Sequence, residues 1–226
     1  MGDANQNTSQ SQQHANKPAS QHVLALQEES FAMLVKQLKK HIAHADIFEI
    51  WLDDMRVKGD IAVIQKFFKK PMMGKSENLD MIKRAVKAGL YYVDVPHDLQ
   101  TDPEFDSLVK NKDVKIVRSF HDFEGTPGLQ DLQQTLEEMD ASGAHILKIA
   151  TQVTSSADAD TLMQLLELPK YKGRLVVTGM GELAREVRIH APLKGSLFYY
   201  APVEGIAPSA SGQISKDELE REWALL

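Results

Sequence analysis

Eight short β-rich runs, separated by segments with helical spacing, restrict the fold open to this 226-residue chain more than any other feature. The runs are His22 to Leu26, Ile47 to Leu52, Pro71 to Gly74, Leu90 to Val95, Lys115 to Phe120, Ile146 to Ala150, Arg174 to Thr178 and Ser196 to Tyr200. Between them apolar residues recur every three or four positions. Phe31, Leu34, Val35, Leu38 and Ile42 mark the segment from Glu28 to His44, and Ile61 to Phe68 follows the second run. Ser76 and Glu77 open a helix that stops at Gly89, and Pro127 sits at a first helical position ahead of Leu129, Leu132, Leu136 and Met139. This count and spacing predict an α/β fold, a (β/α)8 TIM barrel with right-handed crossovers between parallel strands. An open doubly wound sheet has the same alternation, but no GxGxxG follows the first run.

An apolar share of 42% suffices for one sizeable core, so residues 21–226 read as a single barrel domain. Residues 1–20 are a Gln/Asn/Ser-rich tail with too little apolar surface to offset the entropy of ordering, and are expected to be disordered. No apolar run approaches the ~18 residues of a membrane span, and the N-terminus lacks the basic start and apolar stretch of a signal peptide, so a soluble, cytoplasmic protein is expected. The chain has no cysteine, which excludes disulfides, thiolate catalysis and Cys-ligated zinc. Its net charge of −6, with basic residues scattered, gives no footprint for nucleic acid. His41 and His44 lack a further ligand nearby in sequence, so a surface helix and no metal site are expected there.

Two residues are chemically awkward where they stand. Lys148 lies in the apolar run Ile146-Leu147-Lys148-Ile149-Ala150, where burial disfavours an ammonium and lowers its pKa, the route by which lysines become nucleophiles toward carbonyls. A strand-end lysine that snorkels to solvent is the ordinary alternative. His121 sits just past the fifth run beside Asp122, where a loop histidine paired with its neighbour is equally ordinary. The period of two puts Ile146, Lys148 and Ala150 on one face and Leu147 and Ile149 on the other. Barrel chemistry gathers at the C-terminal strand ends, and Glu49, His121, Lys148, Met180-Gly181 and the loop after Tyr200 all fall on or past such ends. Together they suggest acid/base and imine chemistry at one mouth.

The residues FEIWLD (Phe48 to Asp53), LYYVDV (Leu90 to Val95), VRSFHDFEGTP (Val117 to Pro127), GAHILKIA (Gly143 to Ala150), TGMGELAREVR (Thr178 to Arg188), KGS (Lys194 to Ser196) and PSASGQIS (Pro208 to Ser215) resemble type I 3-dehydroquinate dehydratase, the Schiff-base class of the shikimate pathway. The resemblance implies a hydro-lyase that eliminates water from 3-dehydroquinate to give 3-dehydroshikimate. It implies Lys148 as the imine-forming amine, His121 as proton donor and acceptor, Arg188 as the carboxylate grip, Ser209 and Gln213 as polar residues of a closing loop, and Glu49 as a residue orienting groups at the mouth. No cofactor is implied, and a homodimer is.

The pattern also departs from the family's. Trp51 replaces the arginine of E-x-R-x-D, and Pro71 to Glu77 (PMMGKSE) replaces a T-x-R segment followed by glutamate and paired glycines, with Lys75 a candidate point charge in place of that arginine. Pro96 takes the place of the acid in D-x-E, and Val187 that of the serine before the arginine. A-P-G-Q has become Ala210-Ser211-Gly212-Gln213. Two further readings therefore stay open: a Schiff-base lyase or aldolase acting on another small hydroxy-keto acid, and a non-catalytic metabolite-binding or regulatory descendant.

Overall fold

A computed structural model describes residues 17–53 and 61–226. The expected N-terminal tail, up to residue 16, and Asp54 lie outside the described residues. Among the described residues, eight strands alternate with eight α-helices: β1 Gln21–Leu26, α1 Phe31–His41, β2 Ile47–Trp51, α2 Ile61–Phe67, β3 Met72–Lys75, α3 Leu79–Lys87, β4 Tyr92–Pro96, α4 Pro103–Lys112, β5 Lys115–Asp122, α5 Leu129–Ala141, β6 Ile146–Gln152, α6 Ser156–Leu165, β7 Leu175–Met180, α7 Arg185–Leu193, β8 Phe198–Tyr200 and α8 Lys216–Leu225. Side chains cap several helices where the backbone amides lack partners: Ser30 for α1, Asn78 for α3, Asp102 for α4 with Pro103 behind it, and the reciprocal Ser155/Asp158 pair for α6. No helix among the described residues is long and apolar enough to cross a membrane.

All strands are parallel, in the order β7-β6-β5-β4-β3-β2-β1-β8. The ring closes through Leu197 N–H, which donates to Leu175 O at 2.8 Å. Because β8 is short, Ser196 completes the seam with its side chain: Oγ accepts Val177 N–H at 3.0 Å and bonds to Phe198 O at 3.0 Å. This is the expected (β/α)8 barrel.

The register stacks the interior in layers of four contributed by alternate strands. Ile47, Tyr92, Ile146 and Phe198 from the even strands form one layer, and Val23, Met73, Val117 and Val176 from the odd strands the next, all buried apolar residues of one cluster. Val23 pairs with both Ile47 and Tyr200, Met73 with Tyr92 and Glu49, Val117 with Ile146 and Asp94, and Val176 with Lys148. The even-strand layer above is therefore Glu49, Asp94, Lys148 and Tyr200. Leu147 and Ile149 point outward into the core beneath α5 and α6, as the period of two requires.

Several boundaries differ from the sequence reading. His121 lies within β5 rather than past it. Pro127 precedes the cap residue Gly128 instead of starting α5, because Asp122 Oδ1 accepts the amides of Glu124 and Gly125 and Thr126 Oγ1 bonds to Thr151 Oγ1 and Gln152 O, drawing this segment onto β6. Ser76 does not open α3; its hydroxyl donates to Asp53 Oδ1 at 2.6 Å, and Asn78 is the cap. His41 is buried rather than on a surface. Trp223 packs outside β8 and α7 with Tyr199 and Ile189, and its indole N–H donates to Ile189 O at 2.8 Å.

The Ser196 seam yields a test. Ser196→Ala leaves the buried Val177 N–H unpaired, so stability falls by about 1–3 kcal/mol, seen as a lower urea midpoint with unchanged slope.

Candidate active site

The layer of Glu49, Asp94, Lys148 and Tyr200 forms the floor under the C-terminal mouth. Lys148 is 4% exposed, so the buried orientation holds and the snorkelling alternative fails. Its Nζ donates to Asp94 Oδ2 at 3.0 Å, lies 3.6 Å from Glu49 Oε2 and stands 4.5 Å from the centre of the Tyr200 ring. Ser119 Oγ donates to the other oxygen of Asp94 at 2.5 Å. Glu49 accepts Trp51 Nε1–H and Tyr200 O–H, each at 2.9 Å.

These neighbours reverse the expected titration of Lys148. Burial acts to lower the amine's pKa, but Asp94 and then Glu49 outweigh it and hold the ammonium well above the ordinary lysine value. Asp94 is the reciprocal case: burial acts to raise it, and Lys148, followed by Lys75, keeps it well below the usual carboxylate range. The apolar run around Lys148 does not show the carboxylates that β4 and β2 bring alongside. The signal for Asp94 in the sequence is its place two residues after Tyr92 on the same strand face.

His121 lines the same cavity, with Phe123 stacked near its ring at 6.0 Å and Lys75 Nζ 3.4 Å from its Nε2. Burial, reinforced by Lys148 and Lys75, pushes its pKa down to about 3. Near pH 7 the ring is neutral, with one nitrogen carrying a lone pair rather than a proton.

Arg188 enters from α7. Its Nη2 donates to Ser211 O at 3.2 Å, while Nε and Nη1 are buried with no hydrogen-bond partner among the described residues, and burial lowers its pKa to about 10. A buried guanidinium with two idle donors is suited to a planar anion such as a carboxylate. Ser209 and Gln213 bind each other, Gln213 Oε1 accepting Ser209 N–H at 2.7 Å and Nε2 donating to Ser209 Oγ at 3.2 Å. Their loop rests on the end of β7: Gly181 N–H donates to Ser211 O at 3.1 Å, and a Cβ on Gly212, whose φ is +69°, would meet Gly181 O at 2.0 Å. Only glycine permits that approach.

All seven residues singled out in the sequence, Glu49, Lys75, His121, Lys148, Arg188, Ser209 and Gln213, line one cavity of about 460 Å3. Trp51, Pro96, Phe123 and Tyr200 add apolar wall. Among the described residues no group of three or more His, Asp or Glu could hold a metal ion. The interior polar layer and its neighbours thus combine an amine, a neutral imidazole and an unpaired guanidinium, with carboxylates fixing the charge of the amine.

Lys75→Met removes one of the two cations that depress His121. The ring's pKa should rise by about one unit, followed by NMR titration of the imidazole protons; an unchanged titration would leave burial and Lys148 as the causes.

The type I 3-dehydroquinase family model matches residues 65–225. A curated 3-dehydroquinate dehydratase from Methanocaldococcus jannaschii is 30% identical over 222 residues, covering 90% of this chain and 97% of that protein. Among solved structures, type I 3-dehydroquinate dehydratase from Clostridium difficile, crystallised with covalently modified comenic acid, superposes with a TM-score of 0.78 at 20% identity over 93% of each chain. The 3-hexulose-6-phosphate synthase of Salmonella typhimurium shares the fold more distantly, with a TM-score of 0.61 at 18% identity over 91% of this chain and 97% of that one. With the family model spanning most of the chain and a full-length relative at this identity, the chain belongs to the type I 3-dehydroquinase family.

Proposed function

We propose that this protein is a 3-dehydroquinate dehydratase of the type I, Schiff-base class, converting 3-dehydroquinate to 3-dehydroshikimate. The observation that carries this reading is Lys148, buried in the barrel interior and opening on the same cavity as the neutral imidazole of His121 and the unpaired guanidinium of Arg188.

The chemistry follows from those groups. Lys148 rests as an ammonium, so it must lose a proton before attacking the ketone, and that proton is returned when the carbinolamine hydroxyl leaves as water. The amine adds to the carbonyl carbon, and loss of water leaves an iminium. The cationic nitrogen then acidifies the adjacent carbon, because it accepts the electron pair released when His121 removes that carbon's proton. The resulting enamine expels the hydroxyl one carbon further on, which leaves as water with the proton returned by His121. Hydrolysis of the conjugated iminium frees the product and the lysine. The net change is loss of one water, and Lys148 itself supplies the electron sink.

Arg188 grips the substrate carboxylate, which sits on the carbon that loses the hydroxyl, and so sets that carbon's distance from His121. Ser209 and Gln213 close over it from the loop. Lys75 acts as a point charge toward ring oxygens, and Glu49 orients groups from the floor. We place the reaction in the shikimate pathway of aromatic amino acid biosynthesis, in a cytoplasmic homodimer.

Trp51 and Pro96 at the mouth favour one competing reading, a lyase for another hydroxy-keto acid with fewer ring hydroxyls to bind. Borohydride reduction in the presence of 3-dehydroquinate separates the two. Wild type should gain a stable adduct on Lys148 by mass spectrometry, and Lys148→Ala none, with kcat lower by about 10^3-fold or more. Arg188→Lys should retain the adduct while KM rises about tenfold to a hundredfold, as loss of charge-assisted hydrogen bonds implies. No adduct in folded wild type would move the assignment to the other substrate.

A further inference from the structure

Glu49 is held more tightly than a residue waiting for substrate needs to be. It is 2% exposed, and each carboxylate oxygen already has a neutral donor, Trp51 Nε1–H on one and Tyr200 O–H on the other. Its distance from Lys148 Nζ, 3.6 Å, is beyond a hydrogen bond, whereas Asp94 lies within one at 3.0 Å. Two carboxylates thus flank one amine, and only one is bonded to it.

We propose that Trp51 and Tyr200 are positioning residues that hold Glu49 beside Lys148 as a counter-ion taking no hydrogen bond from it. This rests on the reading of Lys148 as the imine-forming amine. An ammonium has three N–H donors; the iminium it becomes has one. Asp94 can keep that one. A Glu49 bonded directly to the ammonium would lose its donor when the imine formed, and a buried carboxylate stripped of a partner is costly. Satisfied by Trp51 and Tyr200 instead, Glu49 loses nothing in that step and still lies close enough to favour the cation. The clamp also keeps Glu49 from closing into a second direct ion pair, which would bind the proton harder and leave less free amine. The groups around the nitrogen are Asp94 from β4, Glu49 from β2 and Tyr200 from β8, with His121 from β5 and Lys75 from β3 beyond them.

The test reads the free amine directly and needs no substrate. Formaldehyde and cyanoborohydride methylate a lysine as its amine adds to the aldehyde, water leaves, and the hydride adds to the iminium carbon. The rate at a fixed pH below the amine's pKa follows the fraction of free amine. Modification of Lys148, measured by peptide mass spectrometry on the full chain, is compared in wild type, Y200F, W51F, E49Q and E49Q/Y200F, with circular dichroism confirming the fold. Releasing one oxygen of Glu49 lets it close on Lys148, so Y200F and W51F should each slow methylation about tenfold, the effect of one pKa unit. E49Q should speed it, and Y200F should add nothing in the E49Q background. Unchanged or faster methylation in Y200F, or equal slowing with and without Glu49, would overturn the clamp. If Y200F loses its fold, W51F decides alone. Wild type that methylates in the expected order yet gives no adduct with 3-dehydroquinate would leave the clamp standing and remove the dehydratase reading.

Discussion

The buried ion pair of Lys148 and Asp94 is the interaction on which the upper half of this barrel depends. Desolvating two charges is costly, and their attraction offsets that cost only when geometry is good and the remaining hydrogen-bonding capacity is used. Both conditions hold: the pair is 3.0 Å apart, Ser119 occupies the second oxygen of Asp94, and the Tyr200 ring faces the ammonium. Two apolar layers below provide a rigid base, and the strand register sets all four members of the charged layer at one height. The position of every other group at the mouth can be measured from this layer.

Much of this was legible in the sequence because barrel physics is periodic. The eight-fold alternation gave the architecture, and the period of two gave the direction of Lys148 without reference to any relative. What was not legible depended on partners distant in sequence. Asp94 and Lys148 are 54 residues apart and meet only across the barrel, so the sign of the lysine's titration could not be read from its own strand. Local signals also yielded to tertiary ones. Pro127 and Ser76 both looked like helix starts, but Thr126 is drawn to β6 and Ser76 to Asp53, and each helix begins two or three residues later at Leu129 and Leu79. The tertiary hydrogen bonds outweighed the preference of single residues for first turns.

The departures from the family pattern fall into different kinds once placed in the fold. Val187 is fully buried in the outer core, away from the cavity. Pro96 ends β4 at the mouth, where its carbonyl is fixed by Arg118 at 2.8 Å. Trp51 and Lys75 are joined in place: the indole donates to Glu49 and lies 5.4 Å beneath the Lys75 ammonium, which in turn reaches His121. A large aromatic and a compact cation thus stand together in the cavity wall.

The C-terminal helix never reaches the cavity, yet Trp223 on α8 holds Ile189 O, the carbonyl next to Arg188. The two halves of the proposed site therefore rest on different supports: the amine on the inner sheet, the guanidinium on an outer helix braced by another. Fraying of α8 would loosen the second without disturbing the first. On the proposed reading, a partly denatured molecule would then keep its amine in place while losing the group that chooses among carbonyl substrates.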